Sequence, residues 1–227
     1  MKSLSKKSRR AFLNKLAITA GATAGIAAIP TAAMATNPFL DNMAMADADE
    51  WFKKVKGTHR VVYDAPAPHD SFPFIWNWAF MLTNNQTGTP DNDMTAMVVM
   101  RHHAIPFAFS DAMWEKYPFG ETFGVTDLRT GKKATRNTLW NAEDGDYVMP
   151  GIDGIKAQMD RGAMYCVCEL AISVYSGAMA GQMGLDAAAV QEEWMDNMHP
   201  GIQPVPSGVW ALGRAQEHGC KYIYAGG

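Results

Sequence analysis

The chain has 227 residues, of which 48% are hydrophobic, 19% charged and 11% aromatic. This composition excludes wholesale disorder, and only three Cys exclude a fold that is held together by disulfides. The formal charge of −3 is uneven, because six of the 20 basic residues and no acidic residue lie in residues 1–35. The remaining fourteen basic residues face 23 acidic ones, a charge of −9 that argues against nucleic acid as a partner.

The first 35 residues are organised like an export signal. A basic segment (1–15) precedes an Ala- and Gly-rich apolar run (16–30) and a small-x-small cleavage site at Ala33-Met34-Ala35. The segment Ser8-Arg9-Arg10-Ala11-Phe12-Leu13 resembles the twin-arginine signal, which sends folded chains across the membrane. The resemblance implies the twin-arginine export machinery as a partner and the periplasm as the destination. A general secretory signal is the alternative, and a second small-x-small site at residues 44–46 leaves the cleavage position open.

The apolar run also bears on membrane insertion. It is about 15 residues long, whereas a transmembrane helix needs roughly 20. We therefore expect no stable membrane span in the mature form.

Beyond the signal, short apolar strands alternate with helices. Residues 36–57 are predicted to be an N-terminal extension that packs on the body, and residues 58–227 to form one domain. The predicted strands are 59–64, 95–101, 163–168, 202–205 and 220–224. The predicted helices are 72–82, 110–117, 152–161, 169–183, 186–198 and 207–218. Because the strands are nearly all apolar, they predict a single doubly wound α/β domain with a mostly parallel five-stranded sheet.

An irregular segment, residues 118–150, interrupts this alternation. Loops of such length are uncommon and often functional, so we expect a lid or an oligomer contact. No phosphate-cradling glycine motif follows the first strand, which argues against the usual modes of nucleotide binding.

The last 75 residues resemble the DsrE/DsrF-like family of sulfur-relay-type α/β proteins. The resemblance rests on Asp160-Arg161-Gly162-Ala163-Met164-Tyr165-Cys166-Val167-Cys168 and on Val205-Pro206-Ser207-Gly208-Val209 with the closing segment 214–223. It implies a small α/β fold that assembles into trimers or hexamers. In sulfur-relay members, a Cys at the end of the third strand carries sulfane sulfur as a persulfide. The matching residue here is Cys168.

Cys168 is also a candidate from its position alone, at a predicted junction between a strand and a helix. A helix N-terminus stabilises a thiolate, so Cys168 is a candidate catalytic nucleophile, redox thiol or metal ligand. The alternative is a small buried core residue. Cys166, two residues earlier, shares its sheet face and is interpreted as core.

Arg101-His102-His103 directly follows the second strand and is predicted to lie at the same edge of the sheet as Cys168. An imidazole there is a candidate ligand for a metal ion or haem, or a proton shuttle, with Arg101 as an anion-binding residue. His69, after the first strand, is a further candidate for ligand binding at this edge. Cys168, His102 and His103 form a tentative set of metal ligands, and solvent-facing or core histidines are the alternative.

Three functions remain open on these residues. The first is an exported DsrE-like protein that binds or carries a ligand, metal ion or haem at the carboxyl edge of the sheet. The second is a sulfur-transfer or redox protein that uses Cys168. The third is a structural subunit of an oligomer, favoured because the sequence contains no H-E-x-x-H, G-x-S-x-G or C-x-x-C motif.

Overall fold

The computed structural model describes residues 42–226. The predicted signal peptide, residues 1–35 with Arg9 and Arg10, therefore lies outside the described residues, as does the beginning of the 36–57 extension.

Five strands form one parallel sheet. They are β1 (His59–Ala65), β2 (Met94–Met100), β3 (Met164–Cys168), β4 (Gln203–Val205) and β5 (Lys221–Tyr224). Their order across the sheet is β4-β3-β2-β1-β5, and every neighbouring pair is parallel. All residues of β2 and β3 are buried, which explains why these strands appear in the sequence as unbroken apolar runs.

Helices cover both faces of the sheet, as expected of a doubly wound α/β domain. Those described are α1 (Asn42–Phe52), α2 (Phe72–Gln86), α3 (Asp111–Lys116), α4 (Phe119–Thr122), α5 (Ile155–Asp160), α6 (Glu169–Met183), α7 (Ala187–Asp196) and α8 (Gly208–Glu217). Within residues 42–226, no helix combines the length and the apolar character needed to cross a bilayer.

The two faces have separate hydrophobic clusters. The larger one joins Val98 and Tyr165 of the sheet to side chains of α2, α6 and α7. The smaller one joins Val62, Met97 and Cys166 to α1 and α8. Helix α1 belongs to the predicted extension, and its Phe52 packs on the body with its ring 5.8 Å from that of Trp210 in α8.

Helix boundaries follow from local hydrogen bonding. The carboxylate of Asp186 accepts the N–H of Ala189 at 2.9 Å, and the hydroxyl of Ser207 accepts the N–H of Trp210 at 3.2 Å, so each side chain caps the N-terminus of its helix. Helix α2 runs four residues beyond its predicted end. Its polar Thr83 and Asn84 are part of the helix, and their side chains donate hydrogen bonds to carbonyls one turn back, at 2.8 Å each.

The irregular segment 118–150 is a packed part of the domain. It contains α4 and a short antiparallel pair, Thr126–Asp127 with Lys132–Lys133. Its side chains of Phe119, Leu139 and Tyr147 are buried in the larger cluster. This burial argues against a lid, whereas the predicted oligomer contact stays a prediction.

Candidate functional site

The strand order brings chemically active residues to the carboxyl edge of the sheet. Asp64 is the last residue but one of β1, Arg101 directly follows β2, and Cys168 ends β3. Because parallel strands all finish at the same edge, residues from distant parts of the chain meet there. The N-termini of α6 and α8 reach the same edge.

Arg101 is held by a buried carboxylate. Its Nε donates to Oδ1 of Asp64 at 2.6 Å, and its Nη2 donates to Oδ2 at 3.0 Å. The hydroxyl of Tyr222 on β5 also donates to Oδ2, at 2.9 Å. Asp64 is only 2% exposed, so these donors replace the water that its charge has lost. The pair fixes the guanidinium in one orientation at the edge.

Cys168 is the N-cap of α6, and its Sγ accepts the N–H of Ala171 at 3.3 Å. Burial raises the pKa of this thiol, while the N–H groups of Gly208, Ala171 and Leu170 and the charge of Arg101 lower it. The sulfur thus lies near the N-termini of two helices and a guanidinium, all of which favour a negative charge. At 6% exposure, burial still outweighs them, and the resting thiol is protonated at neutral pH.

Gly208 allows α8 to approach Arg101 closely. A Cβ placed on Gly208 would lie 2.6 Å from the Cβ of Arg101, which is shorter than any ordinary contact between such atoms. A side chain at residue 208 would therefore push the N-terminus of α8 away from Arg101 and Cys168. This explains, in steric terms, a glycine at the first position of the helix.

The other two thiols lie away from this environment. Cys166 is fully buried in the smaller cluster, and burial raises its pKa strongly. Burial also raises the pKa of Cys220 to about 11. All three cysteines are free thiols, and only Cys168 accepts a hydrogen bond from a helix N-terminus.

His102 and His103 form a second group at the edge. Their rings stack with centroids 4.1 Å apart, and Nδ1 of His102 lies 2.6 Å from the hydroxyl of Tyr175 in α6. Burial lowers the pKa of both histidines, with His103 and Arg101 adding to the effect on His102. Burial raises the pKa of Tyr175 to about 12. Both groups are therefore neutral at neutral pH, and the ring nitrogen of His102 that carries the proton sets the direction of their hydrogen bond.

These histidines and Cys168 lie on different sides of the sheet. Cys168 is two residues from Cys166, so it points to the same face of the sheet, which α8 covers. His103 contacts Phe123, which belongs to the cluster on the other face. Among residues 42–226, no three side chains of His, Cys, Asp or Glu are grouped so as to hold a metal ion. Cys168, His102 and His103 are therefore not brought together as the expected metal site.

The backbone at this edge is strained. Among the described residues, positive φ angles outside glycine occur at His69 (40°), Asp70 (50°), Ser71 (71°) and His102 (50°). All four follow the carboxyl ends of β1 or β2, and His69 opens the short 3-10 helix His69–Ser71 ahead of α2. Such conformations cost about 1–3 kcal/mol each and are concentrated at functional sites.

Sequence reasoning missed four residues of this edge. They are Asp64, Glu169, Tyr175 and Tyr222. Glu169 directly follows Cys168, is 6% exposed and has no hydrogen-bond partner for its Oε2 among the described residues. Burial raises the pKa of its carboxyl group. Asp64 and Glu169 could have been found in the sequence, because each is an acidic residue at the end of an apolar strand. No sequence feature distinguishes Tyr175 or Tyr222.

Comparison with family models, with curated proteins and with solved structures gives no match for this chain. The function is therefore inferred from the residues and geometry of the site.

Proposed function

We propose that this protein carries sulfane sulfur as a persulfide on Cys168, in line with the DsrE-like resemblance of its last 75 residues. The observation that carries the proposal is the position of the sulfur. Sγ accepts the N–H of Ala171 and lies under the influence of the Gly208 N–H and the Arg101 guanidinium. These groups stabilise the anionic sulfur that forms during transfer.

The transfer step is balanced without an added oxidant. Sγ of Cys168 attacks the outer sulfur of a donor persulfide, R–S–SH, so that a new S–S bond forms on Cys168 and the donor's S–S bond breaks. The products are Cys168–S–SH and R–SH. The proton that Cys168 releases is taken up by the donor's leaving thiolate, so that a thiol protonated at rest can still react.

Exposed apolar side chains at the same edge fit the approach of a protein donor or acceptor. Leu170 follows Cys168 directly and is 37% exposed, while Val209 follows Gly208 and is 68% exposed. Tyr222 and Tyr224 of the edge strand β5 are also exposed. Such residues at the mouth of a site offer a docking surface. They equally suit the proposed homo-oligomer, a trimer or hexamer.

A second candidate function is the binding of a small ligand by Arg101, His102 and His103. The strained backbone at His69–Ser71 and at His102 favours this candidate, because strained conformations lower stability and are concentrated at functional sites. The structural-subunit hypothesis predicts neither reactivity nor binding.

We also propose that the chain is exported to the periplasm through the twin-arginine pathway. The support is the Ser8-Arg9-Arg10-Ala11-Phe12-Leu13 segment and the charge asymmetry around residue 35. Export of a folded chain would deliver the site at the carboxyl edge already assembled.

The test is intact-mass spectrometry after treatment with a low-molecular-weight persulfide donor. We expect the full-length protein to gain one sulfur atom, which a reducing thiol removes. Cys168→Ala should lose the increment, while Cys166→Ala and Cys220→Ala should keep it. An increment that persists in folded Cys168→Ala, or one that never forms in the native protein, contradicts the proposal. In the latter case, His102→Ala with a ligand-binding screen decides between the binding and the structural candidates.

A further inference from the structure

A second feature of the molecule is a cavity lined mainly by the 118–150 region, whose lining includes none of the carboxyl-edge residues described above. It has a volume of about 490 Å³ and is lined among others by Asp111, Asp127, Asn137, Trp140 and Glu143. Its volume falls in the range of small-molecule sites. We propose that this cavity binds a small organic cation, such as a protonated amine or a guanidinium compound.

Acidic side chains outnumber basic ones by one in the lining of this cavity. Arg136 donates to Asp127 at 2.9 Å and is also paired with Asp146, while Arg129 donates to Glu143 at 2.9 Å. The lining itself holds three carboxylates, those of Asp111, Asp127 and Glu143, and the two guanidinium groups. Both guanidinium groups are thus already neutralised by carboxylates, and the surplus of negative charge attracts a cation.

Asp111 supplies a carboxylate that is free to meet such a cation. One of its oxygens, Oδ1, accepts the backbone N–H of Asn137 at 2.6 Å. Within residues 42–226, Asp111 has no ion pair with a lysine or arginine, unlike Asp127 and Asp146. The ligand's charge would complete its coordination.

Trp140 supplies an aromatic wall that is held in place before a ligand arrives. It stacks on His199 with ring centroids 3.7 Å apart and an interplanar angle of 5°. Burial lowers the pKa of His199 to about 4, so that the ring is neutral at neutral pH and does not repel a cation. The indole can then bind the cation through its π face.

Asn137 holds Trp140 against the core of the domain through hydrogen bonds. Its side-chain amide donates to the carbonyls of Phe107 and Phe109 at 3.0 Å each, and its Oδ1 accepts the N–H of Trp140 at 3.2 Å. A preformed site of this kind needs little ordering on binding, which favours affinity.

The test is calorimetric titration of the full-length protein with agmatine, spermidine and tryptamine, and with benzoate as an anion of comparable size. We expect the amines to bind and benzoate not to bind, with affinity that falls as salt rises. Asp111→Asn, which keeps an acceptor for the Asn137 N–H, should weaken amine binding at least tenfold. Glu192→Gln, which removes an exposed acid on α7, is the matched control and should leave it unchanged.

Tryptophan fluorescence tests whether Trp140 contacts the bound amine. Amine binding should change the tryptophan emission of the native protein, and Trp140→Phe should abolish that change. No amine binding at millimolar concentration, or equal binding of benzoate, would overturn the proposal. Amine binding that is unaffected by Asp111→Asn would overturn it as well, whatever the outcome of the persulfide experiment.

Discussion

The guanidinium of Arg101 and the buried carboxylate of Asp64 form a two-point pair, with 2.6 Å between Nε and Oδ1 and 3.0 Å between Nη2 and Oδ2. The pair joins the ends of β1 and β2 and aims a positive charge at the edge where Cys168 lies. It links the stability of the sheet to the electrostatics of the proposed reaction.

Arg101→Met should destabilise the protein by about 3 kcal/mol, because it leaves the Asp64 charge buried with only Tyr222 as a donor. Adding Asp64→Asn should recover more than half of that loss, since the uncompensated charge is then removed. Urea unfolding measures both. The control is Arg129→Met, which breaks the exposed pair with Glu143 and a long 3.9 Å contact with Asp146 that Arg136 also neutralises, and should cost under about 1 kcal/mol. Equal losses in the two arginine variants would contradict this account.

The rate of alkylation of Cys168 should rise with pH along a profile displaced upward from that of a free cysteine. Burial raises the pKa of the thiol, and Arg101 partly opposes that effect. In folded Arg101→Met, the profile should move to higher pH still. Peptide mapping after timed iodoacetamide treatment follows Cys168 separately from Cys220. If the pH profile of alkylation is the same in Arg101→Met as in the native protein, the guanidinium does not act on the sulfur.

Gly208→Ala should destabilise the protein by about 1–3 kcal/mol and lower the yield of persulfide, because the added Cβ collides with the Cβ of Arg101. Gly213→Ala is a matched control in the same helix, where the added Cβ meets nothing within 4 Å. It should stabilise α8 by up to about 1 kcal/mol. Denaturation curves and the sulfur increment by mass spectrometry measure the two effects. Unchanged yield in Gly208→Ala would remove α8 from the proposed site.

The free energy of unfolding should fall as pH is lowered from about 6.5 to about 4, with His199 as one contributor. Burial lowers the pKa of His199 in the folded protein to about 4, so the folded state favours the neutral ring. The contribution is present in full above the unfolded pKa of 6.5 and is lost as the unfolded chain takes up the proton. His199→Phe keeps the stacking on Trp140 and should flatten the curve in that window. If the free energy of unfolding depends on pH identically in His199→Phe and in the native protein, the lowered pKa of His199 is contradicted.

Replacing Arg9 and Arg10 together by Lys should retain the protein in the cytoplasm, because the twin-arginine pathway recognises the paired guanidinium groups. Cell fractionation with detection of the mature and precursor forms measures this. Lys6→Ala with Lys7→Ala removes two charges nearby and should leave export largely intact. Normal export of the paired Arg→Lys variant would favour the general secretory alternative.

Much of the fold could be predicted from the sequence, because apolar strands and capped helices are local signals. Strand β3 ends at Cys168 and α6 begins at Glu169, as the sequence predicts, and Ser207 caps α8. The side chains at the edge were harder to place. Asp64 is 37 residues from Arg101 and 158 from Tyr222, so no local pattern reveals their network.

The histidines show a second limit of prediction. The sequence predicts His102, His103 and Cys168 at one edge of the sheet, but that edge has two sides. A positive φ at His102 and the alternation of β3 direct the imidazoles and the thiol toward opposite faces of the sheet. A local backbone conformation of this kind has no signal in a non-glycine residue.

A sulfur carrier must deliver the sulfur on Cys168 as well as receive it. Protein loaded with a persulfide donor, then freed of excess donor and treated with cyanide, should release about one thiocyanate per chain while Cys168 returns to the thiol. Folded Cys168→Ala should release none. Thiocyanate from Cys168→Ala in the same amount, or a loaded native protein that releases none, would contradict the account.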